Sequence, residues 1–196
     1  MLVLVRHGQS VLNAEGCLAG RVDTPLTPLG AAQAVEVAAA VARIGAADRL
    51  LSSPLARARA TASAFGMPVG IDERWVELDY GPYDGLPLAE VPAEVWAAWR
   101  RDIAWEPPDG ESIAALGVRV RDACEDALAA PAALTVVVTH VSPIKAAVAW
   151  ALGVGDEVTW RMFVAPASIT VIGRGDRGPL LRAFNVTAHL MGPATP

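Results

Sequence analysis

Two histidines of this 196-residue chain stand just past short apolar runs: His7 follows Leu2 to Val5 and Arg6, and His140 follows Leu134 to Thr139. Only three histidines are present, so two at such positions invite a chemical reading. In an α/β protein, ligands gather beyond the carboxyl ends of parallel strands, which would bring both imidazoles to one crevice. Neutral imidazole is a competent nucleophile, and phosphohistidine is a usable covalent intermediate. A phosphoryl group in transit spreads negative charge over its equatorial oxygens and requires fixed positive donors. Arginine supplies them best, through a planar fork that stays charged. Arg6 adjoins His7. Arg57, in Ser52-Ser53-Pro54-Leu55-Ala56-Arg57, is expected in the first turn of a helix after a strand, where backbone N–H groups also face an anion.

Other routes to phosphate chemistry are missing from the sequence. There is no G-x-x-x-x-G-K cradle, no D-x-D-x-T run, and neither Cys17 nor Cys124 has an arginine six positions downstream. No H-x-H or H-E-x-x-H pair appears, so neither a metal site nor a cofactor is expected. Gly173-Arg-Gly-Asp-Arg-Gly178 matches G-x-G-x-x-G, but Pro179 and an apolar run follow where a helix would be needed; it reads as a hairpin turn. His189 reads as a surface or capping residue.

The elements that must position these groups are set by pattern and punctuation. Leu2 to Val5 is a strand, and Gly8 to Thr27 a polar loop. Thr27-Pro28 opens a helix to about Ile44, threonine as N-cap and proline at the first helical position. Arg49 to Leu51 is a strand, Ser53-Pro54 starts a helix to about Phe65, and Val69 to Ile71 is a further strand. Irregular chain from Glu77 to Pro87 precedes helices near Leu88–Arg101 and Ser112–Ala129. Leu134 to Thr139 is a buried strand, Ser142-Pro143 begins a helix to Leu152, and strands near Ser168–Ile172 and Leu180–Asn185 close the chain as a hairpin. Strands alternating with helices predict a three-layer α/β/α sandwich around a mostly parallel sheet, in one domain.

Composition narrows the partners. A hydrophobic fraction of 53% with 19% charged residues excludes a disordered chain, and a net charge of −5 argues against nucleic acid. The apolar stretch from Leu134 to Leu152 carries His140, Ser142, Pro143 and Lys145, which favours a strand and helix over a membrane span. The apolar start is only a strand long and reads as no signal peptide, and two cysteines without ligand spacing suit a reduced, cytoplasmic protein. The apolar terminal strands offer an edge on which a homodimer could form.

Five stretches in order carry a family likeness: Arg6-His7-Gly8-Gln9-Ser10 with Asn13 beyond it; Gly20 to Gly30; Ser52 to Ala62; Glu77-Leu-Asp-Tyr-Gly81-Pro-Tyr-Asp84-Gly85; and Val138-Thr139-His140. A sixth, Asn185 to Leu190, extends the match. Together they resemble the histidine phosphatase superfamily, also called the phosphoglycerate mutase-like family, in its phosphatase branch. The resemblance implies that His7 is phosphorylated, that Arg6, Arg57 and His140 bind the phosphoryl group with Asn13, and that Glu77 is the proton donor. One departure stands out. The family commonly has His-Gly-Gly where this chain reads His140-Val141-Ser142-Pro143; the Val141 N–H is still expected to donate to phosphate.

The resemblance implies a metal-independent phosphomonoester hydrolase: His7 attacks phosphorus, Glu77 protonates the leaving oxygen, and water resolves phosphohistidine. Because the donor must be protonated, an acidic to neutral optimum is expected. The segment from Tyr80 to Gly110 would cover the site and select a small or medium organic phosphate, with Trp75, Trp96, Trp99 and Trp105 as core or as an aromatic wall. A primer-dependent phosphoglycerate mutase and a non-catalytic phosphate-binding module are the alternatives.

Overall fold

The computed structural model describes residues 1–190. Strand β1 (Leu2–Arg6) is buried throughout and lies between β4 (Thr135–Thr139), to which it is parallel, and β5 (Ile169–Gly175), to which it is antiparallel. The strand order is β3-β2-β4-β1-β5-β6, with β2 (Arg49–Ser52) and β3 (Val69–Ile71) parallel to β4, and with β6 (Gly178–Val186) at the edge antiparallel to β5.

Alternation along β1 sets the layers. Leu2 and Leu4 pack with Leu116 and Val120 of α5 (Ile113–Ala129) and Ile144 of α6 (Val141–Leu152). Val3 and Val5 face the other way, onto Val37 and Val41 of α2 (Pro28–Ile44) and Ala58 and Ala62 of α3 (Ala56–Ser63). Both faces of the strand are thus covered, as a central parallel strand requires. Each fully buried valine or leucine contributes about 1.5–3 kcal/mol. The expected α/β/α sandwich is the observed one.

Several boundaries differ from expectation, each for a local reason. The loop after β1 contains a one-turn helix, α1 (Val11–Ala14), closed by a reciprocal capping box between Ser10 and Asn13. The helix expected from Leu88 is α4 (Ala93–Arg101), because Pro87 and Pro92 keep the preceding residues out of helix. Helix α3 begins at Ala56 rather than Ser53-Pro54, with Leu55 at its N-cap, and α6 begins one residue before Ser142, with His140 at its N-cap. The glycine-rich run is the β5–β6 hairpin, turning between Gly175 and Gly178.

Candidate active site

Register brings the histidines together. Arg6 pairs with Thr139, so the next residues of the two strands leave the sheet side by side. The His7 N–H donates to the Thr139 carbonyl (3.0 Å), and the imidazoles meet edge to face with centroids 5.0 Å apart. Beyond the neighbouring strand β2, the Ser53 N–H donates to the Val138 carbonyl, and the Ser53 hydroxyl lies 2.7 Å from His140 Nε2. The hydroxyl that would have capped α3 is therefore engaged by His140.

The tautomer of His7 is fixed by its neighbours. Nδ1 lies 2.6 Å from the Gly8 carbonyl oxygen, which can only accept, so Nδ1 carries the proton. Nε2 then presents a lone pair and accepts from Arg57 Nε–H (3.2 Å). Burial, followed by the charges of Arg57 and Arg6, holds His7 well below its ordinary 6.5. Burial lowers His140 likewise, with Arg57, His7 and Arg6 adding to it. Both rings are neutral at physiological pH.

Arginine is fixed on two sides of the pair. Arg6, the last residue of β1, donates from Nη1 to the Val164 carbonyl (2.6 Å). Burial brings its guanidinium down to about 10 while the Glu77 carboxylate opposes the shift, so it keeps its charge at neutral pH. Arg57 is fully buried, and beyond His7 it donates to the carbonyls of Val22 (2.9 Å), Ala19 (3.1 Å) and Gly20 (2.5 Å). That loop is held in turn by Asp84, whose carboxylate accepts from the N–H groups of Gly20 (2.6 Å), Arg21 (2.5 Å) and Val22 (2.8 Å). Asp23 accepts from the Ala56 N–H and so provides the cap that Leu55 cannot.

Glu77 is buried against the start of α6. Its carboxylate accepts from the N–H groups of Val141 (3.0 Å), Ser142 (3.1 Å) and its own neighbour Leu78 (2.8 Å). It therefore caps α6, where neither His140 nor Ser142 does, and a carboxylate at a helix N-terminus is favoured by the aligned peptide dipoles. Arg119 of α5 fixes the backbone around it: Nη1 donates to the carbonyls of Arg74 and Val76, Nη2 reaches that of Glu77, and Glu111 binds the guanidinium in a bidentate pair.

Arg6, His7, Arg57, Glu77 and His140 thus converge at the carboxyl ends of β1, β2 and β4. Two expected phosphate ligands stand differently. The Val141 N–H, read from the sequence as a phosphate donor, is directed to Glu77, because that carboxylate and the helix start share one place. The Asn13 side chain hydrogen-bonds only Ser10 among the described residues, in the capping box of α1. Trp75 and Trp99 are fully buried core residues, Trp96 and Trp105 pack half-buried in the same cluster, and His189 bonds the carbonyl of Ala167. Asp84 and Arg119 are site residues that sequence reasoning misses; Asp84 lies in the same stretch as Glu77, whereas nothing near Arg119 in sequence marks it.

With this geometry in place, comparison with known proteins is decisive: the profile of the histidine phosphatase superfamily (branch 1) matches residues 2–187. The chain belongs to this superfamily. Among histidine phosphatase relatives, the putative phosphoserine phosphatase 2 of Hydrogenobacter thermophilus is 34% identical over 196 residues, covering 96% of each chain. The bifunctional protein Rv2228c of Mycobacterium tuberculosis is also 34% identical, over 96% of this chain, which spans only 54% of that protein's length. The crystal structure of phosphoserine phosphatase from Entamoeba histolytica in complex with 3-phosphoglyceric acid superposes with a TM-score of 0.87 at 28% identity, covering 97% of this chain and 98% of that one. Phosphoglycerate mutases also occur among the superfamily relatives.

Proposed function

We propose that the chain hydrolyses a small or medium organic phosphomonoester through a phosphohistidine on His7. The observation that carries this reading is the unprotonated His7 Nε2, oriented by the Gly8 carbonyl and bordered by Arg57 and His140. Nε2 attacks phosphorus, the bond from phosphorus to the ester oxygen breaks, and Glu77 gives its proton to that oxygen. Water then attacks phosphohistidine, Glu77 takes the water proton, and the phosphorus–nitrogen bond breaks to release phosphate and free His7. Arg6, Arg57 and neutral His140 donate to the equatorial oxygens throughout, in a site whose donors need not reorganise.

Asn13 joins the phosphate ligands through its amide, whose carbonyl alone is used by Ser10. The Val141 N–H serves phosphate indirectly, by holding the acid. We read the chain as one catalytic domain in which the stretch from Tyr80 to Gly110 covers the alcohol side. Support for a cytoplasmic location comes from the free Cys17 and Cys124, and no helix among the described residues is long and apolar enough to cross a membrane. A homodimer would use the exposed edge of β6, and sedimentation velocity reads that directly.

The deciding experiment is hydrolysis of p-nitrophenyl phosphate with EDTA present, for the wild-type chain and His7→Ala. Turnover in the wild type that disappears in His7→Ala is the expected result. Turnover retained by His7→Ala overturns the nucleophile, and activity only on phosphoglycerate with a bisphosphoglycerate primer reassigns the chain as a mutase.

A further inference from the structure

His140 has two ring nitrogens, and its surroundings give them different duties. The ring is fully buried, so neither nitrogen turns to bulk water. Nε2 lies 2.7 Å from the Ser53 hydroxyl, whereas Nδ1 has no hydrogen-bond partner among the described residues. A neutral imidazole offers one N–H donor and one lone pair, and the two nitrogens can only exchange these roles together. What Nε2 meets therefore decides what Nδ1 can do.

Ser53 is as fully buried as the ring. Its hydroxyl oxygen accepts from the Leu55 N–H (3.4 Å), and among the described residues its proton has no acceptor other than His140. The neighbouring Ser52 hydroxyl is spent on the Ser53 carbonyl (2.8 Å). If Nε2 carried the ring proton, the Ser53 O–H would be a buried donor with nothing to receive it. With Ser53 donating to Nε2, this side of the ring is satisfied and the ring proton rests on Nδ1. That leaves one buried donor unpaired, and such a group in a folded protein calls for a partner. The equatorial oxygens of a phosphoryl group act as acceptors, and the His7 ring that would carry the group lies 5.0 Å from this one.

We propose that Ser53 is a positioning residue: by donating to His140 Nε2 it fixes the ring proton on Nδ1, and Nδ1–H is the bond His140 gives to the phosphoryl group. The proposal rests on the phosphatase reading above for the identity of the anion. The two histidines then share one tautomer for opposite ends. In His7 the Gly8 carbonyl draws the proton to Nδ1 so that Nε2 can attack. In His140 a hydroxyl occupies Nε2 so that Nδ1 can donate. Left to itself a neutral histidine side chain favours the proton on Nε2, which would turn a lone pair toward the phosphoryl oxygens. The donors also run in series, from the Leu55 N–H at the N-cap of α3 through Ser53 to the ring at the N-cap of α6, and each bond in such a series strengthens the next.

The test is the imidazole nitrogen NMR spectrum of the wild-type chain, in which only three histidines contribute and His140→Gln identifies the ring in question. His140 is expected as the Nδ1–H tautomer, and inorganic phosphate should shift its Nδ1 resonance more than its Nε2. Ser53→Ala should move the proton to Nε2 and weaken calorimetric binding of inorganic phosphate about tenfold, the scale of one hydrogen bond. An Nε2–H ring in the wild type, or an unchanged tautomer in Ser53→Ala, overturns the proposal. So does phosphate that shifts His7 but leaves His140 Nδ1 where it was. Phosphate that shifts neither ring overturns the anion site itself and the proposal with it, whereas turnover is decided separately by the p-nitrophenyl phosphate assay.

Discussion

His7 and His140 are neutral because they are buried beside two guanidinium groups, and that has a measurable cost in acid. In the unfolded chain both imidazoles titrate near their ordinary 6.5, whereas in the folded chain they stay unprotonated to lower pH. As pH falls below that value the unfolded state binds more protons, so the folded state loses stability. Urea denaturation at neutral and mildly acidic pH should show the loss, and His140→Gln should flatten the profile. A flat wild-type profile would mean that neither ring is held neutral by the fold. Asp84 makes a second case for the single residue. Asp84→Ala frees three backbone N–H groups of the loop that grips Arg57, so kcat/KM should fall about 10- to 100-fold, the scale of losing a charged acceptor. Asp84→Asn should recover part of that loss. The histidines are legible in the sequence because each ends an apolar run. Arg119 is not, because its partners at Arg74, Val76 and Glu77 lie over 40 residues away.

At the scale of elements, helix starts are the least legible feature, and α6 shows why. Ser142-Pro143 has the composition of a cap followed by a first helical residue, yet both lie inside the first turn. The cap comes from Glu77, 64 residues earlier in the chain, and no local rule can see it. The same holds at α3, where Asp23 does the capping and Ser53 serves His140 instead. By contrast the start of α2 is legible in Thr27-Pro28, because its cap is its own residue and the hydroxyl accepts from the Gly30 N–H. A substitution pair can separate the two duties of Glu77. Glu77→Gln keeps an acceptor for α6 but has no proton to exchange, so turnover should vanish while thermal stability stays near wild type. Glu77→Ala should lose turnover and about 1–3 kcal/mol of stability as well, read by denaturant unfolding. Equal stability of both variants would show that the cap is dispensable.

For the molecule as a whole, the sheet ties the beginning of the chain to its end. β1 is completed on one side by β4 and on the other by β5, and its last residue depends on both flanks. The Arg6 N–H donates to the Ser168 carbonyl and its guanidinium to that of Val164, so an arginine beside the histidine pair is positioned from residues about 160 positions away. A chain ended after Leu152 should therefore fail to unfold cooperatively in urea and should show no phosphatase activity. A folded, active fragment would show that β5 and β6 are accessory. The layer order is legible from alternating strand and helix patterns, while the placement of β1 between a parallel and an antiparallel neighbour is not. Apolar runs look alike whichever direction their partner takes.

The grip on Arg57 has one more consequence. Three carbonyls and one imidazole already hold its guanidinium, so the side chain is a die rather than an arm: it cannot swing to follow a misplaced anion. The ordering entropy that a flexible cation would surrender at each encounter has been surrendered once, when the chain folded. Discrimination at this place must then be by shape, with the incoming tetrahedral group aligning itself to a fixed plane and ill-fitting anions gaining little from the charge alone.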